Sequence, residues 1–418
     1  MFKKYLKITS LLGLSKLITL VIGIILARSL GAEQFGEYGY IMSSVMLVAI
    51  LISAGIPQYL VREIARNVED TVEINLLLIL FQRHILLCFS IIFTLSTLYT
   101  LFFGSVEKFT ILVCGSLIIL FYSLGMKQSG TLNGLGRAVD SQLYLQCLTP
   151  FLTLLMVLVM SSFDLLTIEY MLWINLISIL VSFVIMSHKL VGYKTNKGKL
   201  ESFWSSYAIR MKQVAPFSVV AIINVGSVEL APLFIGSLGD KVDVAYFKIA
   251  SQGIMVISLC LASINTVVGP SLARYGMKND SNKIQELLNN AVIKSSLMAF
   301  PLIILMFIFG EQAIKLLFGV DYSSAYDVLS ILCFGQIFNI FCGSPGLALN
   351  MLGYEKKVTK IMVLTLIVNI ALFLALIPLY GGIGAAISIS ISVIFWNVSM
   401  TYVLYSTTGL RSWIKVGI

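Results

Sequence analysis

The sequence predicts an all-α polytopic membrane protein of about twelve transmembrane helices, arranged as two parallel six-helix repeats with a two-lobed architecture. The first sign is composition. The 418 residues are 58% apolar and only 12% charged, with mean hydropathy +0.95, whereas soluble domains carry about 25% charged residues. Second, the apolar residues gather into twelve runs of about 18 or more, and roughly 20 helical residues cover the hydrocarbon thickness. Third, the stretch Ser29–Arg66 returns 208 positions later as Ser237–Arg274, with twelve identities over 38 ungapped positions. Because 208 is almost half of the chain, the halves read as copies of one unit.

The first copy supplies runs 8–27, 38–56, 85–103, 109–126, 143–160 and 170–186. Behind the basic opening MFKKYLK, the first run of twenty residues exceeds the roughly 7–15 of a signal-peptide core, so it is expected to stay as a span. The turn from Arg28 to Glu37 holds Gly31 and Gly36, residues that suit a tight reversal. Span two is expected to stop at Gly55-Ile56-Pro57, since proline lacks the backbone donor. From Leu60 to Arg83 a mixed stretch is expected to lie as a helix along the membrane surface. Spans five and six are joined by a few residues around Asp164.

Between His188 and Lys212 the chain carries Lys189, Lys194, Lys197, Lys199, Arg210 and Lys212 against one acid, Glu201. The expected division is therefore an N-terminal lobe over 1–195, a basic linker over 196–212 and a C-terminal lobe over 213–418. The second lobe takes runs 214–238, 244–268, 291–309, 328–351, 361–379 and 383–405, with a surface helix expected around Arg274–Leu288. A second echo supports the duplication: Leu132-Asn133-Gly134-Leu135-Gly136 returns as Leu349-Asn350-Met351-Leu352-Gly353, at an offset of 217. A six-helix unit keeps its orientation when duplicated, which gives the parallel repeats that transporters use.

Net charge +9 does not call for a nucleic-acid partner. With the N-terminus in the cytoplasm, 24 of the 29 lysines and arginines fall on or toward that side, while the acids show no bias. The charge reports orientation, with both termini cytoplasmic. All six cysteines lie in apolar runs without metal or disulfide spacing, and read as packing residues. No HExxH, GxSxG, Walker loop or CxxC occurs, and His84 and His188 stand far apart, so neither an enzyme nor a metal or other cofactor is expected.

Charges inside spans are costly and mark a pathway or its partner. Lys16, nine residues into the first span, is either a cavity residue or a snorkelling anchor. Glu229, the one acid inside a run, is either a partner of Lys248 or a titrating site for ion coupling. Arg28 and Arg62 sit at span ends as interfacial anchors that could also line a cavity, and Asn224 adds hydrogen-bonding capacity within a span.

These residues carry a resemblance. A basic N-terminus, then Ala27-Arg28-Ser29-Leu30-Gly31-Ala32-Glu33-Gln34-Phe35-Gly36-Glu37-Tyr38, then Gly55-Ile56 ahead of Leu60-Val61-Arg62-Glu63-Ile64-Ala65, resembles the polysaccharide-transporter family of Wzx-type O-antigen flippases. That family shares a superfamily with lipid II flippases and multidrug and toxin extrusion transporters. The resemblance implies translocation of an undecaprenyl-pyrophosphate-linked oligosaccharide from the cytoplasmic to the outer leaflet of the inner membrane. Its implied partners are the lipid-linked oligosaccharide, bilayer lipids, and an O-antigen polymerase with chain-length proteins. Of the candidate site residues, only Arg28 and Arg62 match recurrent family positions. The rival readings are an ion-coupled drug exporter of the same architecture and, further off, a membrane glycosyltransferase or polymerase, which should show a large outside loop.

Overall fold

The computed structural model describes residues 2–66, 68–103, 106–190, 203–278 and 280–413. Residues 196–202 of the basic linker and the side chain of Asn224 lie outside the described residues. Among those described, the chain is helical throughout and contains no strand. Its α-helices are α1 (Phe2–Ser53), α2 (Ile56–Arg66), α3 (Thr71–Phe103), α4 (Val106–Gly134), α5 (Ala138–Gln142), α6 (Thr149–Ser162), α7 (Ile168–Lys189), α8 (Phe203–Leu238), α9 (Lys241–Met277), α10 (Ser281–Leu317), α11 (Ala325–Cys342), α12 (Pro345–Met351) and α13 (Glu355–Thr408). A π-helical turn, Leu143–Leu148, joins α5 to α6.

By length and composition, nine helices among the described residues could cross a membrane, or ten with the pair Tyr207–Ile223 and Val228–Leu238, which meet at 60°. Two long elements explain why this is fewer than twelve. α1 has 52 residues and α13 has 54, each about 80 Å if straight and more than twice the hydrocarbon thickness. Each holds one non-helical glycine, Gly31 (φ 75, ψ 172) and Gly381 (φ 54, ψ −130). At Gly381 the chain folds back: a Cβ on Gly384 would stand 2.3 Å from the carbonyl oxygen of Leu376, eight residues earlier and about 12 Å away along a straight helix.

The chain divides into two compact units. The N-unit comprises Met1–Leu30 and Tyr40–Leu230, and the C-unit Gly31–Gly39 and Ala231–Ile418. In the N-unit, α4 is the central post. Gly115 meets Val45, Gly125 meets Leu145 and Met186, Gly130 meets the backbone of Pro57, and Gly134 meets Ile64. Small residues let the helices approach closely where lipid gives no hydrophobic drive for association. Ser123 Oγ donates to Ala49 O at 3.2 Å and Gln128 Nε2 to Ser187 Oγ at 2.6 Å, tying α1 and α7 to the same post.

In the C-unit, α11 holds the central place. Gly335 meets the backbone of Ser390 on α13, whose Oγ donates to Ile331 O at 2.8 Å. Gly253 of α9 meets Leu329. Asn397 donates to Asn339 Oδ1 at 3.1 Å and Asn339 to Gln336 Oε1 at 2.9 Å, a polar seam between α11 and α13.

The Leu-Asn-x-Leu-Gly echo is a helix terminator in both copies. Gly136 N–H donates to Asn133 O at 3.0 Å and Arg137 N–H to Leu132 O at 2.9 Å; Gly353 N–H donates to Asn350 O at 3.3 Å and Tyr354 N–H to Leu349 O at 2.8 Å. With φ of 76° and 84° at the two glycines, each is a Schellman cap, and Leu132 and Leu349 are fully buried.

Several sequence expectations need correction. The surface helix expected over Leu60–Arg83 is only α2, ending at Arg66, because 71–83 is the start of α3. No separate helix covers Arg274–Leu288; that stretch is shared by the ends of α9 and α10. The run 328–351 is broken at Gly343 (φ 70, ψ −131), with Pro345 opening α12. In the turn expected over Arg28–Glu37 only Gly31 has a positive φ, and Gly36 is helical.

Candidate functional site

The sequence of α2 places Ile56, Tyr59, Leu60 and Ile64 on one face, and all four are buried. That spacing is the i, i+3, i+4 stripe of an amphipathic helix. On its flank the N-unit builds a polar network that draws in α3 and α8. Arg210 of α8 pairs with Glu73 of α3, and its Nη1 donates to Tyr59 Oη at 3.0 Å. Tyr59 donates onward to Gln213 Oε1 at 2.7 Å.

Arg62, singled out from the sequence, stands beside this network. Its Nε reaches Glu63 Oε1 at 2.8 Å, and its guanidinium carbon lies 5.3 Å from the Tyr59 ring centre and 4.9 Å from that of Phe217. Arg66 shares Glu63 at 3.6 Å. A little further on, His84 Nδ1 is 2.9 Å from Tyr207 Oη, and buried Lys127 reaches Gln82 Oε1 at 3.4 Å. The arrangement fastens the start of α8 to α2 and α3 through committed charges. Among the described residues no group of three His, Cys, Asp or Glu could hold a metal.

The other candidates lie elsewhere. Lys16 and Arg28 are exposed on the first arm of α1, twelve residues and about 18 Å apart. Glu229, half-buried on α8, is close enough to Tyr122 of α4 to act on it electrostatically. Lys248 belongs to the C-unit, with its stem against Gly39. Arg210, Tyr59 and Glu73 were not singled out from the sequence as a site, because their partners are up to 154 positions apart. Glu73, the one acid in the first turn of α3 and just ahead of an apolar stretch, was the available signal.

The segment of α1 that follows Gly31 is a second organised site, within the C-unit. A Cβ on Gly36 would overlap Lys241 O at 1.8 Å, Lys241 Nζ reaches Glu37 Oε1 at 2.6 Å, and Phe35 packs edge-on against Tyr322 at 6.4 Å. Burial, and then the neighbouring Asp321, hold the Tyr322 hydroxyl well above its ordinary pKa. The N-unit also holds a cavity of about 300 Å³ lined by Tyr40, Val45, Ile92, Ile111 and Gly115 with a few serines. Ser44, Ser96 and Ser116 donate to their own helices, so the lining is apolar in effect.

A family model described as polysaccharide biosynthesis protein matches residues 25–327. This chain belongs to that family. It is 29% identical over 156 residues to a Shigella flexneri protein assigned as an O-antigen transporter, the match covering 37% of this chain and 36% of the relative. The chain thus spans little more than a third of that relative's length. Among solved structures, the lipid II flippase MurJ in an inward closed conformation matches with TM-score 0.77 at 16% identity, over 95% of this chain and 87% of MurJ. An inward-facing MATE multidrug transporter of the MOP superfamily matches with TM-score 0.72 at 16% identity, over 97% and 98%. At these identities the likeness establishes the fold: this family member is an all-α polytopic membrane protein with the fold of MOP-superfamily transporters.

Proposed function

We propose that the chain is a flippase that moves an undecaprenyl-pyrophosphate-linked O-antigen or polysaccharide repeat unit from the cytoplasmic to the outer leaflet of the inner membrane by alternating access. The observation that carries this reading is membership of the polysaccharide biosynthesis family together with the fold of a lipid II flippase over 95% of the chain. The physics suits such a cargo. A sugar head group cannot cross hydrocarbon unaided, whereas its lipid tail never leaves it. Outward passage of the pyrophosphate is downhill in an inside-negative cell, by about 2.3 kcal/mol per charge per 100 mV.

In this reading α1 and α13 each supply two spans, both termini are cytoplasmic, and lobes 1–195 and 213–418 rock about the basic linker. Lys16, Arg28, Arg62, Asn224 and Lys248 contribute to the substrate path, and Glu229 to ion coupling. A polymerase and chain-length proteins receive the product. The MATE fold favours one other reading, an ion-coupled exporter of small molecules. Against it stands the single acid within the apolar runs, Glu229, amid several bases.

Deletion of the gene, followed by leaflet-resolved detection of the lipid-linked repeat unit, tests the proposal. The unit is expected to accumulate in the cytoplasmic leaflet. Arrival outside at the normal rate, with no redundant transporter present, would sink the flippase reading, and drug sensitivity in the same strain would favour the exporter. Lys16→Ala and Glu229→Gln are expected to slow transport at normal expression; unchanged transport in both removes the site assignment.

A further inference from the structure

The duplicated arginine at the end of the repeat meets different company in its two copies. In the N-unit, Arg66 pairs with Glu63 at i−3. Its mate 208 positions on is Arg274, and the mate of Glu63 is Ser271. Arg274 lies instead over the ring of Tyr275, 4.9 Å from its centre. The pattern extends around that end of the C-unit. Lys283 stands 5.3 Å over the same tyrosine, Lys357 5.2 Å over Tyr354, and Arg411 5.6 Å from Tyr405 and 5.9 Å from Trp413.

These groups form one surface. The α9–α10 turn touches the α12–α13 turn, since a Cβ on Gly276 would meet the Leu352 side chain at 2.9 Å. The C-terminal segment is stitched to α10 by Gln285, whose Nε2 donates to Arg411 O at 2.7 Å and whose Oε1 accepts from Arg411 N at 2.8 Å. Across residues 274–286, 354–360 and 411 the sequence has seven cations against three acids, Asp280, Glu286 and Glu355. Among the described residues, the ion pair formed by these cations is Lys283 with Asp280, a loose 3.7 Å. In the N-unit, by contrast, Arg62, Arg66, Arg137 and Arg210 each meet a carboxylate.

A carboxylate neutralises an arginine. A ring holds it in place and leaves its charge and N–H groups available to another anion. Tyrosine and tryptophan settle at the headgroup level of a bilayer, where basic residues attract anionic lipid at about 1 kcal/mol each. We infer that this face of the C-unit, built from Arg274, Lys283, Lys357 and Arg411 on their aromatic supports, is a binding surface for the phosphate headgroups of anionic phospholipids. It does not depend on the flippase reading, because the occupant is a bilayer lipid whatever the cargo.

The full chain, purified into phosphatidylcholine nanodiscs and titrated with phosphatidylglycerol, tests this by counting bound lipids with mass spectrometry. Each substitution among Arg274→Gln, Lys283→Gln, Lys357→Gln and Arg411→Gln is expected to weaken phosphatidylglycerol binding about fivefold, while Lys315→Gln, paired with Glu311 at another site, leaves it unchanged. Binding within twofold of wild type in the quadruple variant overturns the inference. If that variant does not fold, the wild type serves: binding must fall as salt rises, and salt-insensitive binding also overturns it. Equal competition by inorganic phosphate would assign the surface to free phosphate and reject the lipid.

Discussion

The two units pack the same elements in the same pairs but break different helices. In the N-unit, the last step of the repeat is a separate helix, α2, because the chain turns at Gly55 (φ 75), while the post α4 runs unbroken to Gly134. In the C-unit, α9 runs unbroken through Ser263, the mate of Gly55, and the post is interrupted at Gly343, the mate of Met126 at the 217 offset. The step still packs on the post in both: Ile64 against Gly134, and Gly276 against Leu352.

What differs is the extra segment each unit accommodates. A Cβ on Gly55 would stand 2.5 Å from Ser218 N of α8, whose Oγ donates to Ala54 O at 2.7 Å. A Cβ on Gly343 would stand 2.4 Å from Ser412 O of the C-terminal segment. Each break lies where an added segment approaches the backbone. The duplication therefore preserved pairing and let the position of the interruption follow the neighbour.

The largest effect should come from closing a break. Gly55→Ala combines a left-handed residue with backbone overlap and is expected to cost about 3 kcal/mol, read as thermal unfolding in detergent. Ser263→Gly at the mate position should cost only about 1 kcal/mol, the price of glycine within a helix. Equal losses would show that the two positions are not structurally distinct. Next, Arg210→Gln strands half-buried Glu73 and should lower stability by about 2 kcal/mol, whereas Arg274→Gln, with no carboxylate partner among the described residues, should stay within about 0.5 kcal/mol.

Tyr59→Phe, which removes a hydroxyl bonded to Arg210 and Gln213, is expected to cost about 1 kcal/mol. The smallest change in stability should come from Ser271→Glu, which gives Arg274 the acid that Arg66 has. Its expected effect is below about 0.5 kcal/mol, yet phosphatidylglycerol binding should weaken as that charge is neutralised. Undiminished binding with the new pair formed would erase the proposed distinction between the units.

Much of this fold is written locally. The Gly-Ile-Pro stop, the glycine ends of Leu-Asn-x-Leu-Gly and the turn at Asp164 (φ 52) all act over a few residues, and each is where the sequence puts it. The site is different. Arg62 was legible as a charged residue at a span end, but its partners Tyr59 and Phe217 were not, and the union of Arg210 with Glu73 joins residues 137 apart. The break at Gly343 was also missed, although Gly-Ser-Pro stands in the sequence, because the flanking residues are apolar enough to read as one continuous span.

The bend of α1 at Gly31 carries a consequence for biosynthesis. Glu37 emerges from the ribosome 204 residues ahead of Lys241, its ion-pair partner. At about 5–20 residues per second that interval is roughly 10–40 s. During it, Gly36 and Phe35 lack the surface they will finally pack against, so the first hairpin must sit in the membrane with its tip undocked. Insertion of the second copy then completes the first, and a nascent chain truncated before α9 is expected to be cut by chymotrypsin at Phe35, which is buried in the full-length protein.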